Sequence, residues 1–267
     1  MEHIYNGLIG DNLNSLNESS KMVDGQSRFK FLSNDVVVEY YTINQEQTAK
    51  YLKLAVGSYV LITLPQIQLQ SDKIINQYLQ VLTRELKKFV TKKYKSVLVV
   101  GYGNRHLVAD SLGVKVVGGV VVGNNVFAIA PSVFALTGIE SSDIVNAVCQ
   151  KIKPQLVIVV DSLCANTIDR LGCSFQLTNY AFTPGSGVDN SRVKLKCDCD
   201  VISIGVPLVV YSNTFVKNAI GKNKNCKLKL DNINNLVVTL SDIDIVVDKC
   251  AMLISGAINK VFNHEKT

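Results

Sequence analysis

Three segments of this chain are apolar at nearly every position instead of at every second one: SVLVVGYG (Ser96–Gly103), PQLVIVVD (Pro154–Asp161) and CDVISIGVPLVV (Cys199–Val210). A strand with water on one face alternates apolar and polar residues, so unbroken runs of this kind belong to strands covered on both faces. Segments with helical spacing stand between and around them. SDKIINQYLQVLTRELKKFVTKK carries Ile74, Ile75, Tyr78, Leu79, Leu82, Leu86 and Val90 along one stripe, with Ser71 or Asp72 as its cap. GIESSDIVNAVCQKIK (Gly138–Lys153) opens with acids, and SDIDIVVDKCAMLISGAINKVF follows a Ser241 or Asp242 cap. DVVVEYYTI (Asp35–Ile43) and YVLITLP (Tyr59–Pro65) read as strands, and VKVVGGVVVG and NVFAIA as shorter ones. Buried strands alternating with helices predict an α/β fold, a mainly parallel sheet flanked by helices.

Composition bounds the rest. With 47% hydrophobic residues in 267, the chain has ample material for a large core. Residues 1–30 are polar and rich in Asn, Ser and Glu, so a loosely ordered N-terminal segment is expected there, with 31–267 as a single α/β domain. Charged residues interrupt every apolar run before it reaches the roughly 20 residues that span a bilayer. The N-terminus lacks the basic start and long apolar run of a secretory signal. A cytoplasmic protein without a membrane partner is expected. The seven cysteines include no C-x-x-C pair, and only Cys197 and Cys199 are close, which reads as reduced, buried or idle thiols. His3, His106 and His264 stand too far apart to suggest a metal site, and no metal or cofactor is expected. The net charge of +6 comes largely from lysine runs such as KKFVTKKYK and GKNKNCKLK. Without interleaved aromatics or a nucleic-acid motif, these are solvated faces and predict no direct nucleic-acid partner.

Open α/β sheets build their sites beyond the carboxyl ends of the strands. Here the strand Ser96–Val100 runs into GYGNRHLVADSLG, with Gly101, Gly103, Asn104 and Asp110, while Leu156–Val160 runs directly into Asp161. A carboxylate buried without partners is costly, so its place after four apolar residues needs a reason. If the two strands are neighbours, Asp110 and Asp161 approach one another, and the 51 positions between them leave room for a strand-and-helix crossover. Two carboxylates in one site hold a proton between them, which supplies an acid and a base at one pH. The plainer alternative is a helix cap or a loop hydrogen-bonder. GYGN does not complete a dinucleotide fingerprint, since the third glycine would fall on His106. PGSG (Pro184–Gly187) is either a turn or a loop shaped to receive a peptide backbone. Ser186 sits in no nucleophile elbow, and Cys164 and Cys173 have no histidine close in sequence, so both rank below the carboxylates.

The ordered blocks VGYGN, ADSLGVKVV, TGIESSDIV, VVDSLCANTIDRLGCSFQLT, TPGSGVDNSR and ISIGVPLVV resemble the germination protease of endospore-forming bacteria. The similarity extends over about residues 35–263, fainter before residue 66 and best from 97 to 210. It implies an aspartic-type endopeptidase, made as a zymogen and assembled as a homotetramer, that degrades small acid-soluble spore proteins in the spore or forespore core. It also implies the sheet-and-helix fold of hydrogenase-maturation proteases, which is phosphorylase/hydrolase-like. The family's catalytic aspartates are identified with Asp110 and Asp161. The loops holding Gly101, Gly103 and Asn104, and Pro184, Gly185, Ser186 and Gly187, would shape the substrate groove. Several positions depart from the family pattern. Ala109 and Val114 replace prolines, Asn166 replaces an arginine and Asn179 an aspartate, the connection around VVVGNNVFAIAP is short, and no propeptide can be matched in residues 1–30. Two other readings stay open: a metal-dependent maturation protease on the same fold, with His106 and a carboxylate around nickel, and a divergent binding protein without turnover.

Overall fold

The computed structural model describes residues 29–33, 36–52, 54–181, 195–220 and 236–262. The chain begins with strands β1 (Phe29–Ser33) and β2 (Val36–Ile43), helix α1 (Glu46–Leu52) and strand β3 (Gly57–Thr63). Helix α2 (Asp72–Phe89) leads to β4 (Val97–Gly101), α3 (Leu112–Gly119) and β5 (Val126–Ile129). A short α4 (Phe134–Thr137) and α5 (Ser141–Ile152) precede β6 (Leu156–Ala165) and β7 (Ser174–Thr178). Then come β8 (Asp200–Tyr211), α6 (Ser212–Ile220), β9 (Val237–Val238) and α7 (Ile243–Phe262).

Among the described residues these strands form one sheet in the order β1-β2-β3-β7-β8-β6-β4-β5, with β9 on β8. The centre, β8-β6-β4-β5, is parallel throughout. Of these, β4, β6 and β8 are the runs whose apolarity signals burial on both faces. From β8 outward the remaining pairs, through β7, β3, β2 and β1, are antiparallel. The short path from Ala165 to Ser174 explains the change of direction: a parallel return needs a crossover of a dozen residues or more. Pro207 stands within the paired length of β8, where it cannot donate to the ladder. The register against β6 shifts between Leu163 and Cys164, directly after the pair Leu163–Pro207.

Alternate residues of each central strand enter two cores. Val97, Val99, Ile158 and Val160 pack with Leu82 and Leu86 of α2, Leu112 and Val116 of α3, and Ile254 and Ile258 of α7. Leu98, Val100, Val157 and Val159 face the opposite side, where Ala49 and Leu52 of α1 and Val145 and Cys149 of α5 cover them. The VKVVGGVVVG run is a helix over most of its length and not a strand. Its valines favour strands intrinsically, but Leu112, Val116 and Val120 recur at four-residue spacing and are all buried. Its glycine serves close packing: a Cβ on Gly119 would stand 2.6 Å from Ser255 Oγ of α7.

Candidate active site

β4 and β6 lie side by side, with Val97 opposite Leu156 and Gly101 opposite Val160. The chain leaves β4 by α3 on one face of the sheet and returns to β6 by α5 on the other. The crevice at their carboxyl ends is therefore a topological switch point. The apolar run suggests a strand ending on Asp161, but β6 continues beside β8 to Ala165, with Asp161 opposite Gly205. Asp161 is the first residue of β6 beyond the reach of β4. The purely apolar run measures the length over which β6 has a neighbour on both sides; past it, among the described residues, pairing with β8 alone carries the mixed sequence SLCA.

The final bond of this region is donated by Tyr102 N to Val160 O, at 2.9 Å. The chain then turns away through Gly103, whose φ is 122° and where a Cβ would lie 1.9 Å from the carbonyl oxygen of Asp110. Only glycine meets both conditions. Asn104 N donates to Asp110 Oδ2 at 2.8 Å, and Asn104 Oδ1 accepts from His106 N at 2.9 Å. Asp110 completes a 3₁₀ turn, Val108–Asp110, after which α3 begins. The first turn of α3 sits on the end of the ladder: a Cβ on Gly113 would be 2.6 Å from both Tyr102 N and Val160 O. Gly101 serves the same packing, its Cβ position falling 2.0 Å from Gly113 O. One backbone hydrogen bond thus has Asp161 directly after its acceptor and, across Gly113, Asp110 three positions upstream.

Asp161 is buried, 7% exposed, and its Oδ1 accepts from Ser162 N at 2.8 Å. Asp110 is half-buried. Tyr102, between the two glycines, is buried in the α5-side core, and its hydroxyl has no hydrogen-bond partner among the described residues. Burial, and then the negative charge of Asp161, push its phenol well above the ordinary tyrosine range. Attention to the glycines of GYGN passes over this residue, although an aromatic at the carboxyl end of a buried strand is a usable signal.

Gly101, Gly103 and Asn104 stand where the sequence puts them, at the β4 edge, and the contacts they make are with the Asp110 turn and α3. Pro184, Gly185, Ser186 and Gly187 lie outside the described residues. His106 is exposed, and among the described residues no group of three or more His, Cys, Asp and Glu is placed to hold a metal. Cys173 Sγ donates to Asp169 O at 3.1 Å. Asn179 Oδ1 accepts from Ser58 N at 2.8 Å, and Asn166 O accepts from Asn218 Nδ2 at 3.1 Å.

The family model for the germination protease matches residues 8–223. The germination protease of Clostridium perfringens strain 13 is 28% identical over 277 residues, covering 86% of this chain and 85% of that protein. The germination protease of Caldanaerobacter subterraneus is 31% identical, covering 81% of this chain and 82% of its own. That of Oceanobacillus iheyensis is 36% identical, covering 70% of this chain and 56% of its own. Among solved structures, the [NiFe] hydrogenase maturation protease HycI from Thermococcus kodakarensis superposes with a TM-score of 0.43 at 16% identity, over 67% of this chain and 99% of that one. With the family model spanning GYGN, Asp110, Asp161 and PGSG together, the chain belongs to the germination protease family.

Proposed function

We propose that this chain is an endopeptidase that cleaves small acid-soluble spore proteins, with Asp110 and Asp161 as a catalytic carboxylate pair. The observation that carries the reading is the Tyr102–Val160 hydrogen bond, with Asp161 beside its acceptor and the Asp110 turn packed on it through Gly113. Family membership supports peptide-bond hydrolysis as the reaction.

A pair of this kind works with one proton between two carboxyl groups. The ionised member takes a proton from water as the water oxygen bonds to the scissile carbonyl carbon. The protonated member donates to the carbonyl oxygen, and the tetrahedral intermediate forms. Collapse re-forms the C=O bond, breaks the C–N bond and sends a proton to the leaving amine. Acid and base are properties of the coupled pair, which titrates as a unit. The half-buried setting suits this division, because desolvation strengthens each carboxylate's influence on the other.

Asp110→Asn and Asp161→Asn test the proposal. Asparagine keeps the shape and can still accept from Asn104 N or Ser162 N, but it offers neither a base nor a carboxylic proton. Cleavage of a purified spore protein should fall by about 100- to 10,000-fold in each variant, the usual contribution of general acid–base assistance. Circular dichroism and thermal melting should show the fold retained. Near-wild-type cleavage by either folded variant would exclude the carboxylate pair. Loss of activity on adding a chelator would instead favour the metal-dependent reading.

A further inference from the structure

Cys149 lies in α5, and Cys197 and Cys199 pack against the same core from the segment that leads into β8. That segment is seated on the helix by Lys196 N, which donates to Asn146 Oδ1 at 2.8 Å. Asn146 and Cys149 are three positions apart on α5 and therefore neighbours on its surface, while Cys197 follows Lys196 directly. One hydrogen bond thus brings Cys197 alongside Cys149. Burial pushes the Cys149 thiol up to about 12, and the adjacent Cys197 thiol adds to the effect. Burial also raises the Cys199 thiol, again with Cys197 as the next cause. Cys197 is the shared neighbour of the other two, and it is half-exposed where Cys149 is buried. All three are free thiols, and they do not form a group placed to hold a metal.

We propose that Cys197 is a site of reversible oxidation by peroxides, resolved by Cys149 as an intramolecular disulfide that fastens the approach to β8 onto α5. The Cys197 thiolate attacks a peroxide oxygen and breaks the O–O bond, giving a sulfenic acid and, after protonation, one water. The Cys149 thiol then condenses with the sulfenic acid: its sulfur bonds to the sulfenic sulfur, the S–O bond breaks, and the thiol proton leaves with the hydroxyl as a second water. Two thiols are oxidised by two electrons and one hydrogen peroxide is reduced to two waters. Cys199 is the poorer partner. A disulfide between residues only two apart closes a very short ring and gains little from loop closure. Cys149 approaches from a separate element, 48 positions away, so its disulfide closes a long loop.

The test uses the full-length reduced protein. It is treated with hydrogen peroxide, alkylated, digested without reductant and mapped by mass spectrometry. The expected product joins the Cys149 and Cys197 peptides and separates on adding dithiothreitol. Closing a loop over the 48 positions between them should raise Tm by on the order of 5–10 °C, reversibly. Cys197→Ser should abolish the cross-link, and Cys199→Ser should preserve it. Mapping the unsubstituted protein decides the matter even if a substitution at buried Cys149 unfolds the chain. Quantitative alkylation of Cys197 after peroxide, its conversion to sulfinic acid without a cross-link, or pairing with Cys199 or between molecules would each overturn the assignment.

Discussion

At Gly103 the backbone adopts φ 122° while the carbonyl of Asp110 passes 1.9 Å from where a Cβ would be. Alanine there forces two changes at once. The conformation is one that L-residues scarcely occupy, which costs roughly 1–3 kcal/mol. In addition, real Cβ contacts do not fall below 3.0 Å, so the Asp110 turn must retreat by about 1 Å. A displacement of that size can reduce catalysis by about 100-fold. Gly103→Ala is therefore expected to lower kcat for peptide cleavage by about two orders of magnitude in protein that still melts cooperatively. An unimpaired kcat in the folded variant would show that Gly103 does not set the position of Asp110. Tyr102 beside it presents a different case, because its buried hydroxyl lacks a partner among the described residues, an arrangement that typically costs about 1–3 kcal/mol. Such reserves of unsatisfied polarity concentrate where a structure serves something other than stability.

Among the elements, those whose order is fixed by periodicity were legible in the sequence. α2, α5 and α7 show helical stripes, and β4, β6 and β8 show unbroken apolar runs because both faces are covered. Where periodicity and packing part company, legibility fails. β7 reads SFQLT, and three of its five side chains are polar, yet Ser174, Gln176 and Thr178 are each fully buried. A strand enclosed on both faces that carries a polar stripe resembles a surface segment in sequence, and only its neighbours β3 and β8 reveal it. α3 misleads in the opposite way, since its valines favour a strand while its four-residue spacing builds a helix. Asp161 stands out in the sequence because a carboxylate after four apolar residues requires an explanation, whereas the continuation of β6 past Asp161 rests, among the described residues, on its pairing with β8. Asp200 makes the start of β8 testable. Its carboxylate accepts from Tyr94 OH at 2.8 Å and pairs with Lys92 Nζ at 2.8 Å, and these partners, Lys92 first, hold it below the ordinary carboxylate range. A lowered folded value means that the contribution is complete above the unfolded carboxylate range and is lost as pH falls through the lowered value. Both side chains are about half exposed, so solvent screening keeps the effect small. Asp200→Asn should lower stability slightly at neutral pH and by less at strongly acidic pH, as measured by urea denaturation. An equal deficit at both pH values would mean that the loss is one of shape and not of charge.

On the scale of the whole molecule, the sheet has two unequal halves, and the candidate site lies in the better-braced one. α7 ties that half together from one face. Lys249 Nζ donates to Gln68 O and Gln70 O at 3.0 and 3.1 Å, just ahead of α2. Lys115 of α3 pairs with Asp248, and Asn259 both donates to Gly119 O and accepts from Val121 N, each at 2.9 Å, at the end of α3. β4, β6 and β8 each have a neighbour on both sides, while among the described residues β1 pairs with β2 alone. Backbone amides in such a centre exchange with solvent only through near-global unfolding, whereas an outer strand opens locally at lower free energy. Hydrogen exchange followed by mass spectrometry should therefore place Val97–Tyr102, Leu156–Val160 and Ile202–Val206 in the slowest class, with Phe29–Ser33 exchanging orders of magnitude faster. The Tyr102 amide is the decisive one, since its bond to Val160 O has Asp161 next to its acceptor and the α3 turn that follows Asp110 packed on it. If it proves slow, the carboxylates are held on a frame that opens only when the protein unfolds, and their geometry is set before substrate arrives. If it exchanges as rapidly as β1, the carboxyl edge of β4 opens by itself, and the pair would have to be assembled anew in each encounter with a peptide.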